Sequence, residues 1–224
     1  MFSSLVEIPG AKDRSKMLVF VRGFQGWSNL QQRLRCCGSP ALAKSDELAW
    51  YCGLRSWGYE GRFLTFQWYS PSSDCLSEVR RFARIEGAAE ALCDRLSRVA
   101  EFDSMRTSLL GFSHGGWIIE RALRIARSND VQIRRIYLFG AAAPYASPWW
   151  NMMESISDGL WNFYSAREYF LDAWCSDCVG VNGIPRCGKK ARNIDCSCLI
   201  EHHDDWSNNI EACLRRARLI PKRL

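Results

Sequence analysis

A serine between two glycines stands where a predicted strand passes directly into a predicted helix. Residues 111–115 read GFSHG and have the pattern G-x-S-x-G, with Ser113 at its centre. The β-branched and apolar residues 107–111 favour a buried strand, and residues 117–126 have the apolar spacing of an amphipathic helix. A turn this sharp brings one backbone against another, which glycine permits because it has no Cβ. The junction therefore restricts the chain to folds in which a helix follows a strand across a sheet.

Predicted strands and helices alternate along most of the chain. Apolar runs predict strands at residues 17–21, 62–68, 107–111, 133–140 and 160–165. Helical spacing occurs at residues 29–35, 46–57, 76–99, 117–126 and 206–218. This order predicts an α/β protein, a three-layer αβα sandwich with a mostly parallel sheet. We expect one compact domain over residues 1–224, without a large cap domain and with a cysteine-rich insertion at about residues 173–200.

The chain is mildly basic, with a formal net charge of +6. Such a charge favours at most a weak association with an anionic surface, and no nucleic-acid-binding motif accompanies it. No run of about 18 uncharged apolar residues occurs, so a transmembrane segment is not expected. Residues 1–9 lack the pattern of a secretory signal, which favours a cytoplasmic location. The oligomeric state stays open.

The junction around Ser113, within this order of elements, resembles the α/β-hydrolase superfamily from about residue 18 to residue 210. The resemblance implies a nucleophilic serine, an acid and a histidine in that chain order. The implied function is a serine hydrolase that cleaves an ester of a lipid or another small acyl compound through an acyl-enzyme. Such an enzyme requires no cofactor for catalysis, but the serine hydroxyl needs a neighbouring base to take its proton.

The resemblance also implies an oxyanion hole on the loop that follows an early strand. Residues 21–26 resemble the His-Gly-x-x-Gly loop of the superfamily, with Arg22 where the histidine usually stands. The implied oxyanion donors are the backbone N–H of Phe24 and that of His114, the residue after the nucleophile.

The base must come from His114, His202 or His203, because the chain contains three histidines. His114 directly follows Ser113 and enters the helix, so its side chain should point away from the hydroxyl. We favour His203, because an aromatic residue, Trp206, follows three residues later at the start of the last predicted helix, as in some hydrolases of this class. His202 remains the alternative.

The acid should follow a strand between the serine and the histidine. Residues 162–168 resemble the signature Asn-x-x-Ser-x-x-Asp of the superfamily, and Glu168 takes the aspartate position. The acid would hold the imidazole in the correct tautomer and stabilise the imidazolium. Asp172 remains the alternative acid.

The chain has eleven cysteines, an odd number that excludes complete pairing within one chain. Five lie in the predicted insertion, in a C-x-x-C followed by a C-x-C: Cys175, Cys178, Cys187, Cys196 and Cys198. These thiolates could hold a structural zinc ion, whereas disulfides and unliganded thiols are the other interpretations. Two functional alternatives stay open beside the hydrolase, a non-catalytic binding protein on a hydrolase scaffold and a zinc-stabilised interaction module.

Overall fold

The computed structural model describes residues 3–23, 45–68, 78–99, 107–126, 132–168, 177–185 and 188–220. The strands within these residues are β1 (Ser4–Ile8), β2 (Asp13–Val21), β3 (Gly61–Gln67), β4 (Thr107–Phe112), β5 (Ile133–Phe139), β6 (Ile156–Tyr164) and β7 (Ala191–Asp195). The helices are α1 (Ser45–Trp57), α2 (Glu78–Val99), α3 (His114–Ala126), α4 (Trp149–Met152), α5 (Val179–Asn182), α6 (Asp205–Asn208) and α7 (Ile210–Arg216).

The described strands form one sheet in the order β1-β3-β2-β4-β5-β6-β7. β1 runs antiparallel to β3, and every other neighbouring pair is parallel. The prediction of a mostly parallel sheet is therefore confirmed. β4 lies at the centre between β2 and β5, and Val21 at the end of β2 pairs in register with Gly111 near the end of β4. Loops that leave β2, β4, β5 and β6 consequently meet at one edge of the sheet.

The two faces of the sheet are covered by different helices. Along β2, Val19 belongs to the apolar cluster that contains side chains of α2 and α3, whereas Phe20 belongs to the cluster that contains side chains of α1, α6 and α7. This alternation follows from the two-residue period of a strand. The chain thus forms the predicted three-layer sandwich.

Several boundaries differ from the sequence-based expectation. β1 and β7 were not predicted, because both are edge strands whose mostly exposed or half-buried side chains produce no continuous apolar run. The last predicted helix is two helices, α6 and α7, separated at Asn209, whose backbone leaves the helical region. The predicted helix at residues 29–35 lies outside the described residues.

The stretch at about residues 173–200 contains regular structure. β7 pairs with β6, and the side chain of Asn193 exchanges two hydrogen bonds of 2.8 and 2.7 Å with the backbone of Ile184. Cys178 packs in a small cluster with Ala142 and Val181, whereas Cys196 packs in the cluster around α7.

No group of three His, Cys, Asp or Glu side chains in the described part of the chain is arranged to hold a metal ion. Cys175 and Cys187 lie outside that part, so the predicted structural zinc site stays a prediction. None of the helices described here combines the length and the apolar character needed to cross a bilayer.

Candidate active site

Ser113 occupies a sharp turn between β4 and α3. Its φ of +55° is uncommon for a residue with a side chain, and the residue is 3% exposed. The backbone is fixed on both sides of the turn. The Ser113 N–H donates to the carbonyl of Phe139 at 3.2 Å, and the Ala142 N–H donates to the Ser113 carbonyl at 3.0 Å. The predicted strand–turn–helix junction is therefore confirmed.

The glycines of the motif are required by close approach. A Cβ on Gly115 would lie 1.8 Å from the carbonyl oxygen of Val21 in β2. A Cβ on Gly111 would lie 2.9 Å from the Cα of Gly116 in the first turn of α3. Both distances are shorter than a carbon atom allows, so the strand and the helix can cross here only if these positions lack side chains.

The loop after β2 begins against the serine. A Cβ on Gly23 would lie 2.6 Å from the Cβ of Ser113 and 3.1 Å from its Oγ. Arg22 is buried and forms an ion pair with Glu47 of α1 at 3.1 Å, while its carbonyl accepts from the indole of Trp68 at 3.1 Å. These contacts anchor the start of the predicted oxyanion loop. Phe24 itself lies outside the described residues.

Glu168 and His203 are in contact. The Nδ1 of His203 lies in hydrogen-bond contact with the Oε1 of Glu168, and the indole Nε1 of Trp206 donates to Oε2 at 2.8 Å. Glu168 is fully buried, as is Trp206, whereas the side chain of His203 is 16% exposed. A carboxylate that accepts from the imidazole Nδ1–H leaves Nε2 as the acceptor, which is the tautomer that a general base needs.

The loops that carry the acid and the histidine are tied together next to this contact. The Ser165 hydroxyl donates to the carbonyl of Ile200 at 2.8 Å, and Arg167 forms an ion pair with Glu201. These links hold the segment after β6 against the segment before α6. They explain how residues 35 positions apart in the chain come to share one hydrogen bond.

The turn that carries His203 is closed by a carboxylate. Asp205 Oδ2 accepts from the backbone N–H of His202 at 2.7 Å and from that of Glu201 at 3.0 Å. These two hydrogen bonds, that from His202 first, hold the pKa of Asp205 below its usual value. The turn thus depends on an ionised Asp205.

The histidine also lies against the residue that precedes the serine. The ring of His203 stacks on that of Phe112, with 4.6 Å between the centroids and 23° between the planes. On the other side of the turn, Gly140 lies against Glu168, because a Cβ there would be 2.9 Å from Oε2. Ser113, Glu168 and His203 therefore surround the same end of β4 and β5.

The other histidines lie in different surroundings. His202 is exposed, and the contact with the Glu168 carboxylate is made by its neighbour His203. His114 begins α3, and its ring faces that of Trp117 along the helix at 6.5 Å. Its backbone N–H belongs to the first turn of a helix, where N–H groups point along the axis beyond the helix end. The alternative acid, Asp172, lies outside the described residues.

Trp206 served in the sequence only to distinguish His203 from His202. The hydrogen bond between Trp206 and Glu168 was not predicted. The spacing of three residues between His203 and Trp206 was the available signal. Gly140, whose φ of +46° lies in the left-handed region, gave no signal, because a glycine after a strand is usual in a turn.

Solved structures of esterases share this fold. Esterase PE8 is 15% identical, with a TM-score of 0.59 over 96% of this chain and 99% of that chain. An esterase from the bacterial hormone-sensitive lipase family is 13% identical, with a TM-score of 0.54 over 98% of this chain and 80% of that one. A putative esterase from Staphylococcus aureus is 10% identical, with a TM-score of 0.53 over 96% and 82%. These similarities show the α/β-hydrolase fold.

Comparison by sequence gives a family as well. No curated protein matches the chain. Residues 79–219, more than half of the chain, match the family described as protein of unknown function (DUF726). The matched range includes the turn at Ser113 and the segments that carry Glu168 and His203. The chain therefore belongs to the DUF726 family, and its fold is that of the α/β-hydrolases.

Proposed function

We propose that this protein is a serine hydrolase that cleaves an ester of a lipid or another small acyl compound. The nucleophile is Ser113, the base is His203 and the acid is Glu168. The observation that carries the proposal is the contact between His203 Nδ1 and Glu168 Oε1 beside the turn that presents Ser113. A buried carboxylate paired with a half-buried imidazole is the arrangement that activates a hydroxyl at neutral pH.

The reaction then runs in two halves. His203 Nε2 takes the proton of Ser113 as Oγ attacks the acyl carbonyl, and Glu168 stabilises the imidazolium through Nδ1–H. The same proton passes to the leaving alcohol oxygen as the ester bond breaks, which leaves an acyl-enzyme. Water, deprotonated by His203, attacks the acyl carbon and releases the carboxylic acid, and the proton returns to Ser113 Oγ.

The oxyanion donors proposed are the backbone N–H groups of Phe24 and His114. Two observations support them: Gly23 lies against Ser113, and His114 is the first residue of α3. The positive end of the dipole of α3 points at the position where charge develops on the carbonyl oxygen. One such donor contributes about 10²–10³ in rate.

Hydrolysis of p-nitrophenyl esters of increasing acyl length tests the proposal. Ser113→Ala should lower kcat by about 10⁴-fold or more, because the nucleophile is lost. Ser108→Ala is the matched control, since Ser108 is equally buried on β4 and should leave kcat within about twofold. Equal activity of wild type and Ser113→Ala would contradict the proposal.

The same assay separates the two neighbouring histidines. His203→Ala should lower kcat by about 10³-fold or more, whereas His202→Ala, at an exposed position, should change it little. The opposite order would assign the base to His202. A wild-type protein that hydrolyses none of the esters would favour the non-catalytic binding protein.

A further inference from the structure

The carboxylate of Glu168 has a separate partner for each oxygen. Oε1 contacts His203 Nδ1, and Oε2 accepts from Trp206 Nε1 at 2.8 Å. Glu168 has no exposed surface. A carboxylate without access to water requires hydrogen bonds on both oxygens to stay ionised at low cost. The indole N–H of Trp206 therefore donates the hydrogen bond that water would donate to an exposed carboxylate.

An indole N–H is a donor and cannot accept a hydrogen bond. It pairs with a carboxylate oxygen and disfavours a protonated oxygen that would point its own hydrogen at the ring. The contact with Trp206 consequently occupies Oε2 with a donor. It also fixes which oxygen faces His203, because the other one is occupied.

A glutamate needs this restraint more than an aspartate does. Its side chain has one more rotatable bond, so a single contact with His203 leaves more conformational freedom to the carboxylate. A second contact on the far oxygen removes the rotation about the last bond. The hydrogen bond from Trp206 thus compensates for the additional conformational freedom that Glu168 has in place of the usual aspartate.

The indole is itself held in place. Its ring meets the ring of Phe139 edge to face, with centroids 5.9 Å apart and planes at 79°. Gly140 leaves the space that the N–H and the carboxylate occupy, because a Cβ there would lie 2.5 Å from Trp206 Nε1. Trp206 lies in the first turn of α6, three residues after His203. One short segment therefore carries both the base and the group that orients its acid.

We propose that Trp206 is a positioning residue that holds the Glu168 carboxylate oriented towards His203. The inference rests on the proposed function, and it deepens that function by adding a residue that acts through the acid. The N–H of Trp206, rather than the bulk of its ring, is the part that matters.

Trp206→Phe removes the N–H and keeps an aromatic ring against Phe139. We expect kcat to fall about 10- to 100-fold with KM within about threefold, because an imidazole held loosely is seldom in the reactive position. Trp149→Phe is the matched control. Trp149 is equally buried, belongs to the cluster on the opposite face of the sheet, and donates to the Pro144 carbonyl at 3.2 Å. A fall in kcat no larger than that of the control would overturn the proposal.

A second replacement separates the hydrogen bond from folding. Benzothienylalanine, introduced at position 206 by codon suppression, has the shape of tryptophan with sulfur in place of the N–H. It should reproduce the loss of kcat seen in Trp206→Phe with a melting temperature close to that of the wild type. Wild-type kcat in this variant would show that the ring alone suffices and would refute the proposal.

The tautomer of His203 gives a readout that does not depend on activity. Nitrogen-15 spectra at about pH 8, where imidazoles in general are neutral, contain signals of only three histidines. We expect His203 as the Nδ1–H tautomer in the wild type and Trp149→Phe, and as a mixture of tautomers in Trp206→Phe. An unchanged tautomer in Trp206→Phe would contradict the proposal even if no ester is hydrolysed. Absent hydrolysis with the expected tautomer change would instead refute only the proposed function.

Discussion

Gly140 lies close to both Glu168 and Trp206. It has a φ of +46°, and an added Cβ would meet both Trp206 Nε1 and Glu168 Oε2 below 3 Å. Any other residue would strain the backbone and displace the indole from the carboxylate. The hydrogen bond between Trp206 and Glu168 therefore requires a residue without a side chain at position 140.

Gly140→Ala should lower both stability and kcat, the latter by about 10-fold or more, because the Trp206 indole and the Glu168 carboxylate must move apart. Gly188→Ala is the matched control, since Gly188 also has a positive φ, +81°, and an added Cβ there meets nothing within 4 Å. Stability and ester hydrolysis of both variants measure the difference. Equal losses of kcat in the two variants would show that backbone strain alone matters.

At the scale of residues, the side chains of the candidate triad could be predicted from the sequence, whereas the contacts that hold them in place could not. Glu168 and His203 were found because a triad restricts residue types and chain order. Their contact agrees with that pairing, while their catalytic roles stay proposals. The contribution of Trp206 depends on a distance between two segments, and the sequence contains spacings along the chain only. For the same reason, the ion pair of Arg22 with Glu47 could not be predicted.

At the scale of elements, the turn between β7 and α6 determines where His203 lies. Asp205 accepts from the backbone of Glu201 and of His202, and its pKa is lowered by these hydrogen bonds. A carboxyl group whose pKa is lowered in the folded state stabilises that state above its ordinary pKa of about 4. This stabilisation is lost as the pH falls through the lowered value.

Asp205→Ala should therefore lower the melting temperature by about 2–4 °C near neutral pH, because two backbone N–H groups lose their acceptor. The difference from the wild type should narrow as the pH falls from about 4 through the lowered pKa of Asp205, because the wild-type carboxylate becomes protonated there. Asp204→Ala is the control, since Asp204 is exposed and makes no capping hydrogen bond through its side chain. A difference that persists unchanged at low pH would contradict the role given to the ionised Asp205.

The elements that the sequence predicted are those with a strong apolar pattern. The buried part of β2 and nearly all of β4 are continuous apolar runs, so the end of β2 was predicted correctly and β4 to within one residue. The first four residues of β2, from Asp13, are polar and at least partly exposed, and they were not predicted. β1 and β7 lie at the two edges of the sheet, where one side faces solvent and polar residues are tolerated. β7 in particular lies within a cysteine-rich polar stretch, and only its pairing with β6 makes it a strand.

At the scale of the whole molecule, the parallel sheet assembles the candidate site from distant segments. The loop after β2, the turn after β4 and the segments that follow β6 and β7 all leave the same edge of the sheet. The order of strands therefore explains why Gly23, Ser113, Glu168 and His203 lie together although 180 positions separate the first from the last. The fold class could be predicted because the alternation of strands and helices depends on few residues.

Covalent labelling by a fluorophosphonate tests the central claim most directly, because the probe phosphonylates only a serine that a neighbouring base activates. We predict one adduct per chain, located by tandem mass spectrometry at Ser113 in the tryptic peptide of residues 107–121. Labelling should be abolished in Ser113→Ala, strongly slowed in Glu168→Gln and unaffected in Ser108→Ala. No adduct on the wild-type protein, or an adduct that persists in Ser113→Ala, would contradict the account.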